Sequence, residues 1–206
     1  MPAVLTAEKI EDFREKLCDA ALHIFASRGR EGFTMRELAA AVGVSPMTPY
    51  RYFKDKDAIL AAVRTRAFDD FAAALEAAFA TPGDAQAKAN AAGRAYIRFA
   101  FDHPEAYRLM FEIEADCNDE AEHAELLRAT ERARGTLTRH IHPLVDAGLL
   151  HGDPVVIGHV FWAALHGAVM LQLANKLTPE CDFETLSRAM FRALTAGFGT
   201  PPDTAG

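Results

Sequence analysis

Cysteine is scarce in this chain: Cys18, Cys117 and Cys181 lie far apart, their number is odd, and no CxxC pair occurs. That excludes a zinc knuckle and a disulfide framework and fits a reducing, cytoplasmic setting. The common catalytic signatures are missing too: there is no GxSxG, no HExxH, no Walker loop and no GxGxxG. No alternating strand run of useful length and no internal repeat is found. The N-terminus, MPAVLTAEKI, lacks a basic stretch followed by an apolar run, so no signal peptide is expected. One segment, VVIGHVFWAALHGAVMLQLA at 155–174, has the length and apolarity of a membrane span. His159, His166 and Gln172 interrupt it and no strongly basic flank accompanies it. We therefore expect no membrane association and read it as a helix buried in a bundle and a subunit interface.

What is present is a globular composition. The 206 residues are half apolar and a quarter charged, enough for one large or two small domains. The net charge of −7 argues against a protein that coats nucleic acid uniformly, but it is unevenly spread. Residues 1–66 hold eleven Lys/Arg against nine Asp/Glu, a balance of +2, and the remainder holds eleven against twenty, a balance of −9. A mildly cationic head on an acidic body suggests division of labour.

Almost everything reads as helix. Phe13, Leu17, Ala20, Ala21, Ile24 and Phe25 recur at three- and four-residue steps, the face of a first helix. Thr34 and Glu37 form a capping box that opens a second helix, ended by Gly43. Ser45 can cap a third, with Pro46 at the favoured first position, and Asp55 a fourth. Beyond the break at TPGDA, helices are predicted over roughly 84–102, 104–112, 118–147, 153–176 and 180–198, with Pro143 either bounding or kinking the long one. The tail 200–206 is expected to be disordered.

Within this pattern, residues 34–53 make a helix-turn-helix. Ala39 is small where two helices would cross, and Gly43 can take the left-handed conformation that leaves a helix. Such a unit places its second helix in the major groove of DNA. Pro49 is awkward there, because its missing amide would normally bond the Ser45 carbonyl. Either the first turn is irregular or the helix proper begins with Thr48 as cap. Both arrangements expose Met47 and Thr48 at the tip. Tyr50, Arg51, Tyr52, Lys54 and Lys56 supply hydroxyls and cations of the kind that meet phosphates, and Thr34 and the second helix's N-terminus offer amides to another. Phe53 is read as core.

GFTMRELAAAVGVSPMTPYRYFKDKDAIL resembles the DNA-binding head of TetR-family transcriptional regulators over about residues 10–65. The resemblance implies an all-α fold of about nine helices: a head at 1–55 and a helical effector-binding and dimerisation body at 56–199. It implies a homodimeric regulator, read here as a repressor, that leaves its double-stranded DNA operator when a small apolar or amphipathic molecule binds. No cofactor, metal or catalytic site is expected. The expected DNA-binding set is Thr34, Arg36, Ser45, Met47, Thr48, Tyr50, Arg51, Tyr52 and Lys56; of these the resemblance implies DNA-backbone contacts for Thr34, Ser45, Thr48, Tyr50, Tyr52 and Lys56 and base contacts for Met47, Thr48 and Arg51. Pro49 stands where the family usually has leucine or isoleucine. HPEAYRLMF at 103–111 and FWAALHGAVML at 161–171 resemble a TetR subgroup whose body carries W-x-x-x-H-G, here Trp162, His166 and Gly167.

In the body, Tyr96, Phe99, Tyr107, Met110, Phe111, Trp162, His166 and Met170 are candidates to line an effector cavity, since small-molecule sites are apolar with a few polar groups. The acidity of the body is read as disfavouring an anionic effector. Gly158, Phe161, Leu165, Leu186, Met190, Phe191 and Leu194 are expected at a dimer interface of the last two helices. The competing class is a ferritin-like metalloenzyme, for which the chain offers one E-x-x-H, Glu120 to His123, where two and further carboxylates are needed.

Overall fold

The computed structural model describes residues 6–112 and 120–199. The expected tail at 200–206 lies outside the described residues. Within them the chain is helical, with no strand and a single isolated bridge between Thr178 and Cys181. The order is α1 (Ala7–Arg28), α2 (Met35–Val42), a 3-10 turn η1 (Pro49–Arg51), α3 (Lys56–Phe79), α4 (Ala85–Asp102), α5 (Pro104–Glu112), α6 (Glu120–Arg139), α7 (His142–Asp146), α8 (Pro154–Leu173) and α9 (Phe183–Gly199).

Two compact units form. The first takes the chain up to Asp70 together with residues 103–130; the second takes 71–102 with the chain from Glu131 onward. In the first unit, α1 buries Leu17, Cys18, Ala21 and Phe25 in one core with Leu38 of α2, Phe53 before α3, Ile59, Leu60 and Val63 of α3, and Leu109 of α5. Phe25 stacks on Phe33 at 4.2 Å between centroids. Each of the Leu, Ile, Val and Phe side chains among them contributes about 1.5–3 kcal/mol by leaving water. The apolar spacing of α1 thus organises this unit.

In the second unit, Ile141, Leu144, Leu150 and Ile157 form a core onto which Ala85, Ala89, Phe161 and Phe198 pack. Phe71 meets Tyr96 and Phe99 edge-on, both at 5.3 Å. Arg132 of α6 holds Glu76 of α3 through two hydrogen bonds of 3.1 and 2.6 Å. Asp153 caps α8 by accepting from the Val155 and Val156 amides.

Two expected helices differ from the structure. The long one at 118–147 begins, among the described residues, at Glu120 and is divided: α6 stops at Arg139 and α7 starts at His142. Pro143 has no amide for the carbonyl four residues back, so the ladder ends one turn before it, and Ile141 N–H bonds the Thr138 carbonyl three residues back instead. The third helix, expected from Ser45, is no α-helix. Pro49 lacks the amide that would reach the Ser45 carbonyl, and the Thr48 N–H takes that carbonyl at 2.9 Å. Arg51 N–H then bonds Thr48 and Tyr52 N–H bonds Pro49, the tighter three-residue pattern of a 3-10 turn.

Candidate nucleic-acid interface and effector cavity

The candidate interface is built on the corner between α2 and η1. Thr34, extended at φ −133° and ψ 147°, accepts the Glu37 amide at 3.2 Å and donates its hydroxyl to the Glu37 carboxylate at 2.9 Å. Arg28 pairs with the same carboxylate at 2.6 Å, tying the end of α1 to the start of α2. At the other end, Gly43 is left-handed, with φ 76° and ψ 36°. The Val44 amide bonds the Ala39 carbonyl at 2.9 Å and the Gly43 amide that of Ala40 at 3.2 Å, the paired bonds of a Schellman stop. Ala39, fully buried, leaves room for the turn to cross.

Past the corner, the Ser45 and Thr48 hydroxyls hydrogen-bond each other at 2.9 Å. Pro49 is buried beneath them and fills the apolar position with its ring. The outer face of the segment is Met47, 68% exposed, Tyr50, 47% exposed, and the exposed Arg51 and Lys54. Arg36 and Ser45 are exposed as well, and Lys56 is half-buried at the start of α3. Tyr52 sits differently: its ring packs on Phe13 at 4.8 Å and belongs to the core's edge. Asp55 caps α3 by accepting the Asp57 and Ala58 amides, at 3.0 and 2.9 Å. Asp57 in turn pairs with Arg30 at 3.0 Å.

One residue that holds the candidate interface in place escaped sequence reasoning. Arg14 of α1 donates from Nη1 to the Tyr52 carbonyl at 2.7 Å and lays its guanidinium 4.4 Å from the Phe53 ring centre. It clamps the far end of the exposed turn from below. An arginine on the face of a helix that otherwise presents Phe13 and Leu17 was the available signal.

The second unit encloses a cavity of about 290 Å³. Its wall includes Leu75 of α3, Tyr96 and Ile97 of α4, Leu137 of α6, Leu144 of α7, and Phe161, Trp162 and Leu165 of α8. Of the eight residues expected to line an effector site, Tyr96 and Trp162 do so. Phe99 is buried against Phe71, and His166, 6.3 Å from the Trp162 ring centre, and Met170 are half-buried on α8 off the wall. Tyr107, Met110 and Phe111 belong to the first unit, where Tyr107 is fully buried against Phe111. Of the seven residues expected between subunits, Gly158, Phe161, Leu165 and Phe191 line this cavity inside the protomer. The reason is local: a Cβ on Gly158 would lie 2.8 Å from the Thr138 methyl, so that face of α8 packs closely on α6. Leu186, Met190 and Leu194 remain half-buried along α9.

Gln86, Asn90, Arg94, His140 and Thr195 add polar groups to the wall. Burial pushes the His140 imidazole below its usual range, against a smaller upward pull from the Thr136 carbonyl 3.3 Å from Nδ1. Among the described residues, no three His, Cys, Asp or Glu side chains are grouped to hold a metal, and Glu120 and His123 are both exposed.

Two family profiles match this chain. The one described as bacterial regulatory proteins, tetR family, matches residues 17–63, and the tetracyclin repressor-like C-terminal domain matches 89–196, just over half of the sequence. The chain belongs to the TetR family. A relative, the HTH-type transcriptional regulator Rv0681 of Mycobacterium tuberculosis, is 27% identical over 89% of this chain and 80% of that protein. The HTH-type transcriptional activator FasR of Mycolicibacterium smegmatis is 31% identical over half of this chain and 47% of that one. A solved structure of a Rhodococcus sp. RHA1 protein of unknown function matches with a TM-score of 0.73 at 27% identity, over 91% of this chain and 95% of that chain. The protein is therefore an all-α, DNA-binding transcriptional regulator of the TetR type, and the first profile covers the corner and tip described above.

Proposed function

We propose that this TetR-family regulator is a cytoplasmic, homodimeric repressor that binds a double-stranded operator through residues 1–55 and is released when a small effector occupies the body, residues 56–199. The observation that carries the DNA side is the tip itself. Met47, Tyr50, Arg51 and Lys54 stand exposed on a segment whose backbone is fixed by the Gly43 stop and the buried Pro49. Such hydroxyls and cations set register on phosphates, while Met47 and Arg51 are the side chains for base edges. Thr34, Arg36, Ser45, Thr48 and Lys56 complete the proposed contact set. Tyr52 contributes through packing and its carbonyl.

A second copy is proposed to cover α8 and α9. α8 is apolar enough to cross a membrane by composition, yet only 28% of its most apolar window is buried, and α9 has no fully buried residue. Val155, Val156 and Leu171 are exposed on α8. Apolar area of this kind on a helix pair fits a subunit interface. A twofold dimer then presents its heads to half-sites about 34–36 Å apart or a multiple of it. An effector shifts the equilibrium only as far as it binds the released state better than the DNA-bound one.

The test is fluorescence anisotropy on DNA from upstream of the protein's own gene, at two salt concentrations, with wild type and Tyr50→Ala. Binding that weakens steeply with salt and is lost in the variant supports the reading. Absence of salt-sensitive binding to that DNA and to random genomic fragments refutes it. A reporter that rises on deletion of the gene separates repression from activation.

A further inference from the structure

The cavity in the second unit has a charge character of its own. Outside residues 1–66 the chain carries a balance of −9, yet no Asp or Glu is among the described residues that line the cavity. Arg94 is the only permanent charge among them. Burial disfavours the His140 cation, against a smaller pull from the Thr136 carbonyl. Gln86, Asn90 and Arg94 follow one another at four-residue steps on α4, so they share one face, and all three are exposed, which places them at the mouth. The Gln86 amide donates to the Asn90 carbonyl oxygen at 3.2 Å, holding this rim together. Arg94 has no carboxylate partner among the described residues. Deeper in, the wall turns apolar, with Leu75, Ile97, Ile141, Leu144, Phe161 and Leu165.

Granting that the cavity is the effector site, we infer that its ligand is an amphipathic carboxylate: an anionic head held at the mouth by Arg94 and an apolar body seated among Phe161, Leu165 and Ile97. Guanidinium and carboxylate match through two parallel charge-assisted hydrogen bonds. A cationic amphiphile would meet Arg94 and find no counter-charge, leaving its head desolvated against a like charge. The volume, about 290 Å³, lies near the lower end of the range for small-molecule pockets and suits a small ligand.

The chain's sole tryptophan, Trp162, lines this cavity and reports its occupancy without competing signals. The experiment titrates the purified full chain with octanoate, octan-1-ol and octylammonium and follows Trp162 emission. Octanoate is expected to change the emission saturably, octan-1-ol about ten-fold more weakly, and octylammonium not at all. Arg94→Gln should weaken octanoate about ten-fold and leave octan-1-ol unchanged. Arg98→Gln, an equal loss of charge one turn along the same exposed helix face but off the cavity wall, should change neither. Circular dichroism confirms that the variants fold. If octylammonium or octan-1-ol binds as well as octanoate, or Arg94→Gln binds octanoate normally, the carboxylate assignment is wrong while the cavity remains an effector site. If none of the three perturbs Trp162, the effector-cavity reading fails with it.

Discussion

Arg14 offers the sharpest test of how the exposed Tyr50–Arg51 turn, the proposed DNA contact, is held. Replacing it with Met keeps the length and apolar stem of the side chain and removes the guanidinium. What is lost is the 2.7 Å hydrogen bond to the Tyr52 carbonyl and the stacking 4.4 Å from Phe53. A hydrogen bond from a charged donor contributes about 1.5–3 kcal/mol, but the Arg14 side chain is 38% exposed, and solvent screening brings it to about 1 kcal/mol. The cation–π contact adds about 0.5–1 kcal/mol. The pair with Glu11, at 4.0 Å and open to water, adds nothing measurable. Arg14→Met should therefore cost about 1–2 kcal/mol and lower Tm by about 3–6 °C. Arg28→Met is the control: it breaks the exposed 2.6 Å pair with Glu37 and should cost at most about 0.5 kcal/mol. Freed from Arg14, the Tyr50–Arg51 tip would also pay about 1 kcal/mol to regain its binding geometry, about a five-fold loss of operator affinity. Since Arg14 reaches a backbone carbonyl and not a phosphate, the salt slope of binding should stay the same. Equal costs for the two variants would refute the clamp. A changed salt slope would show that Arg14 is a phosphate contact instead.

Gly158→Ala should destabilise the protein by about 1–2 kcal/mol, because the new methyl meets the Thr138 methyl at 2.8 Å; Thr138→Ser removes that methyl and should recover much of the loss in chemical denaturation, and no recovery would place the clash elsewhere. His140 bears on pH. With its folded pKa held below the unfolded value of 6.5, its contribution is fully present above that value and is lost as pH falls through it. Thermal unfolding should therefore show a smaller loss between about pH 7.5 and about pH 5.5 in His140→Gln than in wild type, and identical slopes would refute the assignment.

The head was legible in the sequence because its determinants are local. A capping threonine, a left-handed glycine and an aspartate cap each act within four residues, and Thr34, Gly43 and Asp55 do what their types dictate. The tip was legible only as a conflict. Pro49 showed that a regular helix from Ser45 was in difficulty, but not that the Thr48 amide would take over the orphaned carbonyl and shorten the element to a 3-10 turn. Arg14 and Tyr52 were harder still. Their contact spans 38 residues, and no periodicity distinguishes an arginine that points at solvent from one that points at a carbonyl.

In the body the limit was of another kind. Periodicity assigns an apolar face only when there is also a polar one, and α8 is apolar nearly all round. Sequence could say that such a helix has two apolar neighbours without saying which residue faces which. Gly158 decides it: its missing side chain admits Thr138, so the stripe that includes Phe161 and Leu165 turns inward to the cavity. Val155, Val156 and Leu171 are left outside. The charge of the cavity was hidden for a related reason. A net charge sums over every surface of the body, whereas a ligand meets only those side chains that one wall of α4 and its neighbours bring together. There the acidic average disappears, and among the described lining residues Arg94 carries the one permanent charge.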